Sequence, residues 1–121
     1  MKKYLVVALA LAVSGCTSEL LVKSDPEFAT IYSGNQNFGA APVYLSYKIT
    51  KQDRKIGFII ADTLTARWIS GATLKMPIQL NFKEGKHHEI TLIRPADYPN
   101  VNLDANYVQE RTKKEIEMKL K

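Results

Sequence analysis

The chain has 121 residues, with 17 lysines and arginines against 12 aspartates and glutamates, a formal charge of +5. That length suits one small domain and excludes two well-formed cores. With one cysteine there is no internal disulfide, so stability has to come from packing.

Met1, Lys2 and Lys3 form a short positive start, and residues 5–13 are uninterruptedly apolar. That run is too short to cross a bilayer core, which takes about 20 apolar residues, and it has the layout of a secretion leader. It closes on Val13-Ser14-Gly15-Cys16, where two small residues precede the cysteine. The pattern resembles the lipobox of bacterial lipoproteins. The resemblance implies cleavage between Gly15 and Cys16, acylation of the Cys16 thiol and attachment to a membrane through the lipid. Thr17 stands where an aspartate would imply retention in the inner membrane, so the outer membrane, on its periplasmic face, is the implied destination. Lys2 and Lys3 leave with the leader, which lowers the formal charge to +3. Export separates the chain from nucleic acid, so no nucleic-acid partner is expected, and the remaining cations suit anionic headgroups or polysaccharide.

No long Gly/Ser/Pro tether follows Cys16. Residues 20–23 read as a short strand, broken by Ser24-Asp25-Pro26-Glu27 because the residue before proline is driven from the helical region. A second strand is expected over 29–33, with a hairpin turn at Gly34-Asn35-Gln36-Asn37. Val43, Leu45, Tyr47 and Ile49 alternate with Tyr44, Ser46, Lys48 and Thr50, which predicts a strand with the first set facing the core. Residues 51–55 read as a charged turn, and 56–61 as a strand buried on both faces. Leu64, Ala66 and Trp68 continue a period of two as far as Ser70-Gly71. Leu74, Met76, Ile78, Leu80 and Phe82 form the cleanest alternation, and Pro77 among them predicts an edge or a bulge, since it cannot donate to a ladder. A turn over 83–86 then returns residues 89–94 as the partner of that strand. After an irregular stretch around Pro95, Tyr98 and Pro99, residues 103–121 change period: Val108, Thr112, Ile116 and Leu120 recur every four. This is a terminal helix with a narrow apolar stripe, capped by Asp104 or Asn102, whose lysine-rich end suits the helix dipole.

The fold expected is mainly β, a small antiparallel sandwich-like domain with a C-terminal α-helix. The segment Asp25-Pro26-Glu27-Phe28-Ala29-Thr30-Ile31-Tyr32, a turn, and then Phe38-Gly39-Ala40-Ala41-Pro42-Val43-Tyr44-Leu45 together resemble the PEGA domain, a small all-β module named for its Pro-Glu-Gly-Ala signature. Gly85 and Tyr98 match its closing glycine turn and aromatic, so the resemblance spans about residues 25–98. Phe28 replaces the signature glycine, and residues 51–72 form a longer middle. The resemblance implies binding or scaffolding in the cell envelope and brings no catalytic residues with it. The organisation is then a cleaved leader (1–15), a lipidated start with a first strand (16–24), a PEGA-like domain (25–100) and a charged helix (101–121).

His87-His88 is the one histidine pair, but neighbours on a strand point to opposite faces and no further ligand completes a metal set. Asp62-Thr63 and Ser70-Gly71 offer hydroxyls and a carboxylate without a nearby histidine to act as base. No catalytic residue, metal or cofactor is assigned. Tyr44, Arg67 and Trp68 are the candidate binding surface, because aromatic and basic side chains together suit sugars or protein partners. Trp68 is also a natural core residue. The partners expected are the membrane, through the lipid, and an envelope protein assembly or peptidoglycan. The competing expectation is a membrane-tethered inhibitor of a periplasmic hydrolase, presenting residues 32–38 or 94–102, or a small envelope enzyme.

Overall fold

The computed structural model describes residues 17–120. Gly15 and Cys16, and the leader before them, lie outside the described residues. Seven strands form two sheets, and the described chain ends in an α-helix. In chain order the strands are β1 (Thr17–Asp25), β2 (Thr30–Ser33), β3 (Gln36–Ala40), β4 (Val43–Lys48), β5 (Ile59–Arg67), β6 (Thr73–Leu80) and β7 (His87–Ile93). The helices are α1 (Lys51–Ile56) and α2 (Val101–Lys119), with a short 3-10 turn at Phe82–Glu84.

One sheet has the order β4-β1-β7 and the other β3-β2-β5-β6. Alternation decides what each buries. Leu20 and Val22 of β1, Leu45 of β4 and Leu92 of β7 meet Ile31 of β2, and Leu64, Ala66 and Trp68 at the end of β5, in one apolar core. The alternation read for residues 43–49 holds: Leu45 and Ile49 are buried, while Tyr44 is 76% exposed. A two-residue hairpin at Gly34-Asn35 joins β2 to β3, with Gly34 at φ 59°, a conformation that glycine adopts at little cost. Pro77 lies on an edge strand, opposite the irregularity between Ala61 and Leu64.

That irregularity explains one departure. Between the pairs Ala61↔Ile78 and Leu64↔Met76, β5 spends one residue more than β6. The inward parity therefore switches from Ile59 and Ala61 to Leu64 and Ala66. The apolar run 56–61 is consequently not buried on both faces: Ile60 is 67% exposed, and Ile56 belongs to α1. The charged stretch 51–55 is a helical turn rather than a plain turn. The Thr50 side chain accepts from the Asp53 amide, the Asp53 carboxylate accepts from the Thr50 amide, and Gly57 at φ 101° ends the helix.

A second departure concerns pairing. β7 does not return beside β6; it runs parallel to β1 in the other sheet, from Glu19↔His87 to Asp25↔Ile93. β1 is thus a nine-residue central strand, bordered by β4 on its other side, and residues 17–24 are integral to the domain rather than a prelude to it.

The turn between β1 and β2 is held from several sides. The Ser24 hydroxyl donates to the Pro26 carbonyl at 2.8 Å and accepts from the Ala29 amide at 3.1 Å. The Trp68 indole N–H also donates to the Pro26 carbonyl, at 2.8 Å. Phe28, which replaces a glycine in the resemblance, still adopts φ 70°. This costs an L-residue about 1–2 kcal/mol, and the surrounding bonds, with the Arg111 guanidinium 4.7 Å from the Phe28 ring centroid, hold it in place.

Candidate functional site

Two places concentrate polar chemistry: a buried node at the end of the sandwich that carries α2, and the outer face of the three-stranded sheet. The node grows from three chain segments. β7 continues past Leu92, so period two turns Arg94 inward, and its amide donates to the Asp25 carbonyl at 2.9 Å. The turn from β5 to β6 presents Ser70, with Gly71 at φ 98°. The first turns of α2 bring Asp104, which is 1% exposed.

Asp104 Oδ1 accepts from the Ser70 amide at 2.8 Å, and Oδ2 from the Ser70 hydroxyl at 2.7 Å and from Arg94 Nε. The rest of the Arg94 guanidinium donates to the carbonyls of Pro95, Tyr98 and Pro99 at 3.1, 3.0 and 2.6 Å. Burial pushes the Asp104 carboxyl up, but the hydrogen bonds from Ser70 and Arg94, with the guanidinium charge, outweigh it and hold the group below its usual range. A carboxylate so committed is a weak base for the Ser70 hydroxyl, and the arrangement acts as a clasp that fixes α2 and the loop 95–99 to the sheets. Asp104 is therefore not a helix cap. Asn100 occupies that position at φ 68° with no side-chain capping bond.

On the outer face, the register sets Tyr44, Leu21 and Glu89 in one row across β4, β1 and β7, and Ser46, Glu19 and His87 in the next. Lys23 pairs with Glu89 at 2.9 Å and His87 Nδ1 approaches Glu19 at 3.0 Å. The Glu89 carboxylate, by hydrogen bond and then by charge, holds the Lys23 ammonium above its usual range. Tyr44 borders three shallow depressions: one toward Pro42 and Glu27, one toward His87 and His88, and one toward Phe38, Tyr47 and Asp62. Burial, and then the Asp62 charge, push the Tyr47 phenol upward.

The three residues read as a joint surface are not brought together. Trp68 is 3% exposed and packs in the core, so it leaves the candidate surface. Arg67 is exposed near the end of β5, opposite Thr30 and Thr73, on the outside of the other sheet from Tyr44. Of the histidines, His87 is exposed and His88 lies on the inner side with Nε2 enclosed and unbonded. Among the described residues no group of three or more His, Cys, Asp or Glu side chains could hold a metal ion. Arg94 and Asp104 were missed as a pair. The available signal was Arg94 at an inward parity position after Leu92, which demands a buried counter-charge.

Fold and site define a small two-sheet β domain with a helix clasped to one end and an open face on one sheet. Compared with known proteins, the chain matches no family model, no curated protein and no solved structure. No helix among the described residues is long and apolar enough to cross a membrane.

Proposed function

We propose that the chain is a lipoprotein of the bacterial cell envelope, anchored at the periplasmic face of the outer membrane through acyl chains on Cys16. Its PEGA-like β domain makes noncatalytic contacts with an envelope protein assembly or with peptidoglycan. The observation that carries this reading is that Thr17, the residue after the lipobox cysteine, already lies in β1, the central strand of a sheet whose outer face exposes Tyr44. A folded module one residue from its anchor can meet only partners close to the membrane, and a polar, ion-paired face with an exposed aromatic side chain on its edge strand suits contact rather than turnover. Two or three acyl chains make release negligible, since each buried methylene adds about 0.8 kcal/mol.

A second reading has its own support. Arg94 ties the 95–99 loop through three carbonyls, giving a rigid segment, exposed over 96–99, of the kind an inhibitor of a periplasmic hydrolase would need.

Cys16→Ala in the full chain is expected to leave uncleaved or mislocalised precursor; processed Cys16→Ala protein in the outer-membrane fraction would refute the anchor. Pull-down from detergent-solubilised envelopes separates the two readings. A multiprotein assembly or peptidoglycan fragments, lost with Tyr44→Ala, support scaffolding. Stoichiometric recovery of one hydrolase, unaffected by Tyr44→Ala, supports inhibition.

A further inference from the structure

The connections at the end of the sandwich where β1 begins have one chemistry in common. Thr17 is paired with Lys48, the last residue of β4. From there the chain passes into α1, which exposes Lys51, Arg54 and Lys55 and ends on Ile56, 43% exposed. The Lys83 ammonium lies over Gly57, 3.6 Å from where a Cβ would stand, so the link between β6 and β7 closes against the end of α1. The carbonyl of Lys86 in the same link accepts from the Glu19 amide at 2.7 Å and the Ser18 hydroxyl at 3.3 Å. Two separate stretches of chain, 48–55 and 83–86, thus gather exposed lysines around the point where β1 starts.

Among the described residues the carboxylates at this end include Asp53, which is engaged by the Thr50 amide, Glu84, and Asp62, whose charge reaches Tyr47 beside Ser18; Glu19, one step inward, faces His87. Among the described residues none of Lys48, Lys51, Lys55, Lys83 and Lys86 is in an ion pair. The opposite end carries exposed Asp25, Glu27 and Asp97. The five lysines thus share the Cys16 end of β1, a strand about 30 Å long at the usual rise; toward its other end stand Lys23, paired with Glu89, and Arg67, opposite Thr30.

We propose that this cationic end is a membrane-facing surface, with Lys48, Lys51, Lys55, Lys83 and Lys86 resting on anionic phospholipid headgroups and Ile56 dipping between them. The proposal rests on the lipid-anchored reading and adds to it an orientation. Cys16 and Thr17 are adjacent, and consecutive Cα atoms are about 3.8 Å apart, so an acyl chain on Cys16 holds Thr17, and with it the paired Lys48, next to the headgroups, where charges interact over roughly 8 Å. Basic side chains beside an anchored chain add electrostatic attraction to the hydrophobic one. The lysines late in α2 belong to a helix whose first turns are clasped at the other end, and they serve as the comparison set.

The test uses protein purified in detergent from cells expressing the full chain and reconstituted into phosphatidylglycerol–phosphatidylcholine or pure phosphatidylcholine vesicles. Amine-reactive labelling is quantified lysine by lysine, and the mass of the amino-terminal peptide reports acylation separately. With phosphatidylglycerol, labelling of the five lysines is expected to be roughly fivefold lower than in neutral vesicles and to recover in high salt, while Lys113, Lys114 and Lys119 stay unchanged. Lys51→Glu combined with Lys55→Glu and Lys86→Glu, all exposed positions, should remove protection of Lys48 and Lys83 without altering the circular dichroism spectrum. Equal labelling in both vesicles, protection confined to the α2 lysines, or protection that requires added peptidoglycan fragments would overturn the surface even if Cys16 is acylated. An unacylated chain whose five lysines are still protected on phosphatidylglycerol vesicles would keep the surface and remove the anchor.

Discussion

At the scale of single residues, the clasp of Asp104, Arg94 and Ser70 is the most consequential polar feature of the fold. Removing the charge from one partner of a buried pair leaves the other uncompensated, at a cost of about 3–5 kcal/mol. Asp104→Asn keeps the shape and loses the charge, so the thermal midpoint is expected to fall by about 15 °C or more, given the few degrees per kcal/mol of a domain this size; an unchanged midpoint would refute the clasp. The pH dependence follows from the same group. Its folded-state pKa lies below the unfolded value of about 3.9, so the stabilisation is present at neutral pH and is lost as pH falls below that value toward the folded pKa. Acid titration followed by circular dichroism should show this decline in the wild type and a shallower one in Asp104→Asn. The residue was visible in the sequence near the start of a helix, and a cap was the natural reading. That it bonds a turn 34 positions away instead depends on where β7 ends, which no local pattern states.

At the scale of elements, α2 joins an anchored half to a free one. Asp104 is buried and Tyr107, Val108 and Arg111 are half-buried, whereas every residue from Thr112 through Leu120 is exposed. A helix of this length draws most of its stability from tertiary packing. Amides of residues 112–119 are expected to exchange on the order of tenfold faster than those of 104–111, as measured by hydrogen exchange with mass spectrometry; uniform protection would mean that the outer half is covered. The four-residue recurrence of Val108, Thr112, Ile116 and Leu120 was legible and did mark a helix. It did not mark the docked face, because Asp104 and Arg111, polar residues, make the firmest contacts there. α1 was missed for a related reason: its charged residues match a turn in composition, and the reciprocal bonds of Thr50 and Asp53, with the backbone bonds Arg54 to Thr50 and Gly57 to Asp53, identify it as helical.

At the scale of the whole molecule, β1 decides whether there is a domain. It has a neighbour on both sides, and Leu20 and Val22 are fully buried. A chain beginning at residue 25 is expected to lose cooperative unfolding in urea, because β4 and β7 would have no strand between them; a sharp, two-state transition for that chain would show that the other sheet suffices. The sequence by itself determined the faces of β4, the β2–β3 hairpin, the edge position of Pro77 and the presence of a terminal helix, though not the faces of residues 56–61 or of Met76, which is exposed. Each depends on periodicity or on the backbone limits of one or two residues, and these act over a few positions. Tertiary structure alone decided that β7 joins β1 rather than β6, that Trp68 is core while Tyr44 and Arg67 face opposite ways, and that lysines from two connections gather where β1 begins. Those outcomes turn on which strand edges are left unpaired and which inward polar groups need partners, and both are settled only when distant segments pack.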